Sequence, residues 1–514
     1  MDNVAVPAGN YVSKVLELFA GYGDAEAIVA GERRFTYNDV RTGILTMAAA
    51  LYNHGLRPGV SVGILAGSAP ETVALQFGVH LMGGRVAWIA PNSPVSFRRE
   101  FLALSGVDAF VYDADSYPEA GAELAATGDL PVFCIGADGL GPDLKAAPVV
   151  TELPFDLADV TTEPQALFQT GGTTGQPKLV HHKQRFFETV LAFGERYLAT
   201  GGHHMRHLAL SGYWHVSAQM PAHMSLFTGG TYIIQDGFDV EEFYDLIASE
   251  RITDTLIPPP LLGYLLDNPA TEKADLSSLR WVSLGGSPTA PARMSQAIAR
   301  MGTVLRPAYG MSEAPIIAAY PQIPDDPALL SSVGQPYGDL QLEIRDPDGN
   351  VLPIGETGEI CVSGGVMMAG YWGLPELTAE TLVDGWLRTG DVGYLDEAGN
   401  LFLVDRLKDM ILTGWGSTNV YARPIENVLA AIPGVAAAAV IGVPHATWGE
   451  AVHACVVLSP GVTMTEDEVK AAVSAELNDL WAPRTVEFLE ALPLTEANKV
   501  NKLELRARYL ASTS

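Results

Sequence analysis

Cysteine and basic residues are scarce in this chain. Its 514 residues include only Cys134, Cys361 and Cys455. An odd number of cysteines at distant positions supports neither a disulfide framework nor a Cys-x-x-Cys metal site. Lysine and arginine number 31 against 60 aspartates and glutamates, which gives a formal charge of −29. Because basic side chains are what bind phosphodiester backbones and anionic lipids, we expect no nucleic-acid partner and no anionic membrane surface.

The two ends of the chain carry no sorting signal. The start, Met1-Asp2-Asn3-Val4, lacks the basic segment and apolar run of a signal peptide, and no apolar segment approaches the length of a membrane span. The last residues, Ala511 to Ser514, form no peroxisomal or lipidation signal. We expect a cytoplasmic protein that does not insert into a membrane.

Short apolar strands alternate with helical spacing through the first part of the chain. Strands are predicted at 60–66, 85–89, 109–112, 206–210, 231–234, 254–257, 281–284 and 303–307, with helices at 69–81, 97–104, 240–250 and 290–301. Strands that alternate with helices predict βαβ units and parallel sheets. The predicted fold class is therefore α/β, with a large N-terminal domain of layered sheets.

The pattern changes twice towards the C-terminus. From about 333 to 405, short strands separated by acidic turns predict an antiparallel β subdomain. Beyond it, helices at 424–431 and 465–480 and strands at 435–443, 450–458 and 486–489 predict a small α+β domain. We predict an N-terminal domain over 1–405, a hinge at 406–408 and a C-terminal domain over 409–514.

A glycine- and threonine-rich segment, Phe168 to Lys178 (FQTGGTTGQPK), stands out from the rest. Glycines let main-chain N–H groups converge on one anion, and threonine hydroxyls add further donors. The segment is not a Walker loop, because no Gly-Lys-Ser/Thr follows. Taken alone, it is consistent with an ATP clamp or with a plain chain reversal.

Further short motifs follow this segment in order: Tyr213-Trp214-His215, Gly285-Gly286-Ser287-Pro288, Tyr309-Gly310-Met311-Ser312-Glu313, Trp386 to Asp391, Asp405 to Asp409, and Lys499. The ordered set, beginning at Phe35-Thr36-Tyr37, resembles the adenylate-forming superfamily of acyl-CoA synthetases, peptide-synthetase adenylation domains and firefly luciferases. That resemblance implies two half-reactions. A carboxylate attacks the α-phosphate of ATP, giving an acyl-adenylate and pyrophosphate, and a thiol then displaces AMP.

The resemblance also assigns the ATP site. The residues that would cradle the β- and γ-phosphates are Thr170, Gly172, Thr173, Thr174 and Gly175, with Lys178 adding positive charge. Glu313 would bind Mg²⁺ through oxygen, as a hard cation requires, and Ser312 would hydrogen-bond the α-phosphate. Outside such a motif, Lys178 would be read as a surface cation and Glu313 as a solvated acid.

The adenosine site follows from the same resemblance. Its predicted adenine slot is formed by Tyr309, Gly310, Gly285 and Gly286, although paired glycines can equally form a turn. Asp391 would accept hydrogen bonds from both ribose hydroxyls, and Arg406 would bind the ribose and steady the phosphate. The alternative for Asp391 and Arg406 is a structural salt bridge.

Lys499 and His215 complete the implied catalytic set. Lys499 resembles the lysine that offsets charge building on phosphorus, and it stands on a C-terminal domain that swings between adenylating and thiolating poses about Lys408. Gly414 would let the arm of coenzyme A pass. His215 would border the acid pocket, or it could simply pack beside aromatic rings. Small residues at Gly212, Ser217 and Gly286 indicate room for a bulky apolar acid.

The sequence departs from the family pattern at the phosphate segment and after the hinge. Gly171 replaces a serine, which removes one hydroxyl donor to phosphate, and Leu179 replaces a glycine. The segment 414–419 is two residues longer than usual and carries Trp415. The adenosine-binding residues remain. We therefore hypothesise that thioester formation is retained, that ATP-dependent adenylation is weak or lost, and that a separate adenylating enzyme supplies the acyl-adenylate in the latter case.

The favoured function is an acyl-CoA ligase that joins a small-molecule carboxylic acid to coenzyme A through an acyl-adenylate, using ATP and Mg²⁺. The first alternative is an enzyme that loads the phosphopantetheine of a carrier protein. More distant alternatives are a luciferase-like oxygenase and a nucleotide-binding protein without turnover. Oligomeric state and the identity of the acid are not readable from the sequence.

Overall fold

The computed structural model describes residues 9–126, 128, 130–170, 178–235, 237–286, 289, 291–320, 327–413, 418–445, 449–495 and 499–513. Across these residues it contains fourteen α-helices and twenty-six β-strands, mixed in the α/β manner that the sequence pattern predicts. The prediction of the fold class is confirmed.

Two layered sheets form most of the N-terminal part. The strands of sheet 1 are β1 (Glu26–Ala30), β2 (Arg33–Thr36), β9 (Arg206–Ala209), β10 (Thr231–Ile234), β11 (Asp254–Ile257), β12 (Trp281–Leu284), β13 (Leu305–Met311), β14 (Ala314–Ala319) and β15 (Gln335–Pro336). Their order is β15-β14-β13-β12-β11-β9-β10-β1-β2. The central pairs run parallel, as crossover helices require.

Sheet 2 carries the phosphate segment between two of its strands. Its members are β3 (Ser61–Leu65), β4 (Arg85–Trp88), β5 (Ala109–Asp113), β6 (Val132–Ile135), β7 (Gln165–Thr170), β8 (Lys178–Lys183) and β18 (Gly370–Tyr371). Their order is β18-β8-β7-β4-β3-β5-β6. The strands β7 and β8 pair antiparallel as a β-hairpin, and β7 also pairs in parallel with β4, so the hairpin lies at the edge of the parallel strands.

Several of the helices begin at a residue whose side chain accepts a hydrogen bond from a backbone N–H of the first turn, as at Asn10, Thr36, Asp239 and Thr465. They are α1 (Tyr11–Tyr22), α2 (Tyr37–Asn53), α3 (Pro70–Leu81), α4 (Val95–Ser105), α5 (Pro118–Ala125), α6 (Gln184–Ala199), α7 (Val216–Phe227), α8 (Val240–Ser249), α9 (Pro259–Asp267), α10 (Pro291–Met301), α11 (Pro375–Thr381), α12 (Ala422–Ala431), α13 (Glu466–Glu476) and α14 (Lys502–Thr513). A capping box of Thr36 and Asp39 starts α2. The main core cluster joins α2, α3, α6 and α7 to strands of both sheets.

Sheets 3 and 4 lie in the last third of the chain. Sheet 3 is antiparallel, as predicted, and contains β16 (Gln341–Arg345), β17 (Gly358–Ser363), β19 (Leu382–Val383), β20 (Trp386–Leu395) and β21 (Leu401–Arg406). Sheet 4 contains β22 (Ile411–Thr413), β23 (Thr418–Val420), β24 (Val435–His445), β25 (Gly449–Leu458) and β26 (Thr485–Leu489). Sheet 3 therefore ends where the hinge is predicted, while the domain bounds themselves stay a prediction.

Two elements differ in extent from the sequence expectation. The strand expected at 303–307 continues to Met311 and so carries Tyr309. The helix expected at 465–480 ends at Glu476. It stops there because the side chain of Asn478 accepts hydrogen bonds from the N–H groups of Leu480 and Trp481, a local turn that competes with helical hydrogen bonding. In the described ranges, no helix combines the length and the apolar character needed to cross a bilayer.

Candidate active site

The two strands of the hairpin fix both ends of the phosphate segment. Thr170 at the end of β7 is the cross-strand partner of Lys178 at the start of β8. The Lys178 Nζ lies 5.5 Å from the centre of the Tyr371 ring, a cation–π contact. Gly172, Thr173, Thr174 and Gly175, as well as Gly171, lie outside the described residues. Leu179 belongs to β8 and is buried in the core behind the hairpin rather than in its connection.

Glu313 is a buried carboxylate held by groups from distant parts of the chain. Its side chain accepts a hydrogen bond from the Tyr371 hydroxyl (2.7 Å to Oε1), and its carbonyl accepts one from the Met368 N–H (2.7 Å). The preceding carbonyl, of Ser312, accepts a hydrogen bond from His182 Nε2 (2.8 Å). Mg²⁺ requires hard oxygen ligands, and the Tyr371 hydrogen bond engages only Oε1 of Glu313. Glu313 therefore fits a magnesium ligand.

Tyr309, Asp391 and Arg406 form one connected group. Asp391 on β20 is the cross-strand partner of Arg406 on β21, and its Oδ1 lies 3.0 Å from Arg406 Nε. Its Oδ2 accepts a hydrogen bond from the Tyr309 hydroxyl (2.6 Å). Burial raises the pKa of Tyr309 and the Asp391 carboxylate raises it further, so the phenol stays protonated and donates. Each Asp391 oxygen keeps a further lone pair for another donor.

Two glycines of the predicted adenine slot, Gly310 and Gly286, are favoured at their positions for different structural reasons. A Cβ on Gly310 would lie 2.2 Å from the Pro315 carbonyl oxygen, so β13 and β14 approach too closely there for any side chain. Gly286 has a φ of +95°, which favours glycine, and a Cβ there would meet no described residue within 4 Å. The described residues therefore leave space beside Gly286.

Lys499 reaches this group from the C-terminal part of the chain. The Lys499 carbonyl accepts a hydrogen bond from the Thr495 N–H (2.6 Å), which holds the backbone at Lys499. Loss of hydration beside the surrounding protein lowers the pKa of Lys499, and the positive charge of Arg406 lowers it further. The negative charges of Asp391 and Glu313 act on it in the opposite direction. These mutual effects place the Lys499 ammonium in the same cleft as the predicted metal and ribose ligands.

His215 lines the same cleft from the side of sheet 1. His215 is an exposed residue, yet loss of hydration beside the surrounding protein lowers its pKa to about 4, and the Lys499 charge lowers it further. His215 is therefore neutral at pH 7. The Trp214 indole lies across Gly212, where a Cβ would sit 2.2 Å from the ring. The lack of a side chain at Gly212 thus makes room for Trp214. Of the small residues predicted to border the acid, the exposed Ser217 and Gly286 remain next to unfilled space among the described residues.

A buried polar network holds the turn before His215. The Tyr213 hydroxyl is hydrogen-bonded to His223 Nε2 (2.8 Å), and its N–H donates to Ser68 Oγ (3.1 Å). The Gln219 amide donates to the Tyr213 carbonyl (2.8 Å) and accepts from Gln76 (3.0 Å). These groups come from helices α3 and α7 and from the loops that precede them, more than 140 residues apart in sequence, so a local motif does not reveal the network.

The C-terminal part is tied to the end of sheet 3 by charged groups. The Asp405 carboxylate accepts hydrogen bonds from the backbone N–H groups of Ala422 and Arg423 at the start of α12. Within the C-terminal part, Lys502 of α14 pairs with Glu426 of α12 (2.9 Å). Gly414 and its neighbours up to Ser417 lie outside the described residues. For the described residues, the structure brings Thr170, Lys178, Ser312, Glu313, Tyr309, Asp391, Arg406, His215 and Lys499 to one region; their roles stay predictions.

Family models match both parts of the chain. The model described as AMP-binding enzyme matches residues 17–372, and the model described as AMP-binding enzyme C-terminal domain matches residues 424–499. The chain belongs to the AMP-binding enzyme family. The resemblance to adenylate-forming ligases is thereby confirmed, and this AMP-binding enzyme is a ligase by family.

Its relatives differ in the acceptor named for them. A medium/long-chain fatty acid–CoA ligase, FadD8 of Mycobacterium tuberculosis, is 32% identical over 93% of this chain and 86% of its own length. The fatty acid–acyl-carrier-protein ligase ScoC of Streptomyces coeruleorubidus is 31% identical over 94% and 93%. The structure of the amide bond synthetase McbA from Marinactinospora thermotolerans is similar with a TM-score of 0.88 and 33% identity, covering 97% of this chain and 99% of that one.

Buried histidines make the stability of this AMP-binding enzyme sensitive to acid. Burial lowers the pKa of His80 and His223 to about 3 and of His182 and His207 to about 4. Since unfolded histidine titrates near pH 6.5, the unfolded chain binds more protons below that pH, and stability is lost as the pH falls from about 6.5 towards 4.

We expect the thermal midpoint to drop clearly between pH 7.5 and pH 5.5. Protonation of each such histidine in the unfolded chain lowers the free energy of unfolding by about 1.4 kcal/mol at pH 5.5. Differential scanning calorimetry at the two pH values measures it. His182→Gln should reduce the drop, and His54→Gln, at an exposed position, should not. Equal midpoints at both pH values would contradict the prediction.

Proposed function

We propose that this protein activates a carboxylic acid as its acyl-adenylate and transfers the acyl group to coenzyme A. The observation that carries the proposal is the position of Lys499. It lies in one cleft with Glu313 and with the Asp391–Arg406 pair, although it comes from the far end of the chain. An ammonium near both a metal-binding carboxylate and a ribose-binding carboxylate is suited to the point where carboxylate and α-phosphate meet.

The residues divide the work of the first half-reaction. Asp391 offers free lone pairs to the ribose hydroxyls, and Arg406 adds a guanidinium on the phosphate side. Glu313 would hold Mg²⁺, which supplies charge neutralisation on the phosphates when bound. Lys499 offsets the negative charge that builds on the α-phosphate and the attacking carboxylate. Neutral His215 borders the acid without adding a competing charge.

We propose further that thioester formation is intact and that adenylation is slowed. Support for slowing comes from Gly171, which lacks the hydroxyl that the family pattern has there and so removes one donor to a charged phosphate. Support for a remaining reaction comes from Lys499 and Glu313, which are both present in the cleft. The acid is proposed to be bulky and apolar, because Gly286 borders open space and Ser217 is small.

Two assays of the same protein test the proposal. We expect slow exchange of labelled pyrophosphate into ATP with candidate acids, and fast release of AMP from a preformed acyl-adenylate given coenzyme A. Gly171→Ser should raise the exchange by about 10- to 100-fold, the range of one hydrogen bond to a charged group, and leave the second assay unchanged. Vigorous exchange by the wild type would reject slowing, and no AMP release with any acceptor would reject the ligase itself.

If pyrophosphate exchange is undetectable but the preformed acyl-adenylate is turned over, a separate adenylating enzyme becomes part of the proposal. Turnover of the acyl-adenylate would also exclude a nucleotide-binding protein without turnover. Light emission from an adenylated luciferin would be needed to support an oxygenase.

Two acceptors of the acyl group other than coenzyme A are supported by particular relatives. The similarity to ScoC supports a carrier-protein phosphopantetheine, and the likeness to McbA supports an amine as the nucleophile. In the second assay, coenzyme A, a phosphopantetheinylated carrier protein and a panel of amines are therefore supplied in separate reactions. The product of the fastest reaction, identified by mass spectrometry, decides between a thioester and an amide.

A further inference from the structure

We infer that Tyr371 is a positioning residue for the metal-binding carboxylate of Glu313, an inference that rests on the proposed function. The motifs of the sequence do not indicate Tyr371, which lies 58 residues from Glu313. In the structure its hydroxyl donates to Glu313 Oε1 over 2.7 Å. Tyr371 is 9% exposed and Glu313 is 5% exposed, so the hydrogen bond is shielded from water.

The backbone around Tyr371 is fixed on the phosphate side of the cleft. Tyr371 is the cross-strand partner of Val180 on β8, and the Trp372 N–H donates to the Leu179 carbonyl (2.9 Å). The Tyr371 N–H donates in turn to Thr378 Oγ1 (2.9 Å). The ring is thus held beside the start of β8, where the phosphate segment ends.

Tyr371 touches two groups that the proposed reaction uses. Its hydroxyl holds Glu313, and the face of its ring lies 5.5 Å from the Lys178 ammonium. A carboxylate oxygen can only accept a hydrogen bond, so the phenol is the donor in this contact. This hydrogen bond occupies Oε1 and restrains the carboxylate, so that Oε2 would be the oxygen that binds a cation.

The hydrogen bonds around Glu313 indicate that Tyr371 positions its carboxylate rather than only packing against it. The Met368 N–H holds the Glu313 backbone from the same segment that carries Tyr371, and His182 holds the Ser312 carbonyl from β8. Main chain and side chain of Glu313 are therefore restrained separately. Partners that orient a metal ligand in this way typically change metal affinity by about 10- to 100-fold when they are removed.

Tyr371→Phe tests the inference, because it removes the hydroxyl and keeps the ring beside Lys178. We expect the Kd of ATP in the presence of Mg²⁺, measured by calorimetry, to rise by about tenfold, and the Mg²⁺ concentration for half-maximal pyrophosphate exchange to rise by a similar factor. The affinity for AMP, which needs no metal, should change less than about twofold, within the range of a surface substitution. Tyr394→Phe is the matched control, since Tyr394 stacks on Phe402 away from Glu313.

A double-mutant cycle separates positioning from loss of structure. In a Glu313→Gln background, Tyr371→Phe should have little further effect on the affinity for ATP with Mg²⁺, because the carboxylate that it orients is already gone. Equal effects in both backgrounds, or an unchanged Mg²⁺ dependence of the single variant, would overturn the inference. A wild-type protein that binds neither ATP with Mg²⁺ nor AMP would instead refute the proposed function.

Discussion

Replacing Lys499 by alanine is expected to lower pyrophosphate exchange by about 10²- to 10³-fold, the usual loss when one preorganised group that stabilises developing charge is removed. The ammonium lies in the cleft with Asp391 and Glu313, whose charges act on its pKa. Turnover of a preformed acyl-adenylate should fall by less than about threefold, because charge no longer builds on an attacked phosphate in that step. The two activities, measured side by side on one preparation, give the ratio.

Lys470→Ala is the control for loss of a lysine from the C-terminal part. Lys470 pairs with Glu466 on the surface of α13, and removal of such a pair costs little. Both half-reactions should stay at the wild-type rate. If Lys499→Ala slowed both half-reactions equally, the lysine would be acting on the stability or placement of the whole C-terminal part rather than on adenylation.

Replacing Asp391 by asparagine is expected to weaken both half-reactions, each by about 10- to 100-fold in kcat/KM, the range of one hydrogen bond to a charged group. Both steps use a ligand with the same adenosine group, so the loss is shared. The amide keeps the shape of the side chain but removes the negative charge that pairs with Arg406 and accepts from Tyr309. Calorimetry with AMP should show the same loss without any acid or acceptor.

Asp267→Asn controls for the removal of a salt-bridged carboxylate. Asp267 pairs with Arg293 at an exposed position, so this variant should bind AMP as the wild type does. Unchanged AMP affinity in Asp391→Asn would contradict a ribose-binding role and leave the Asp391–Arg406 pair as a structural salt bridge, the alternative that the sequence also allows.

Most residues of the candidate site could be predicted from sequence motifs, but the residues that hold them in position could not. Asp391 and Arg406 were predicted together from two short motifs, and the register of β20 and β21 places them opposite each other. Tyr371 and His182 gave no signal, because each acts on the Ser312-Glu313 motif across more than fifty residues of sequence. A contact of that kind depends on which strands become neighbours, and the strand order of sheet 2 is not written in any local pattern.

The acid pocket shows the same division on a smaller scale. The sequence indicated space at Gly212, Ser217 and Gly286 from residue size alone. In the structure the Trp214 indole occupies the place beside Gly212, and Gly286 stays open. Residue size predicts room only when the neighbour in space is known.

By itself the sequence determined the α/β class, the order of the motifs and the membership of the AMP-binding enzyme family, because periodicity and short motifs are local properties of the chain. Only the tertiary structure decided that Lys499 lies in the same cleft as Glu313 and Asp391, and that the Tyr371 hydroxyl orients Glu313. Those contacts join residues that local patterns cannot relate, and they form because packing of sheets and helices brings distant segments to one edge.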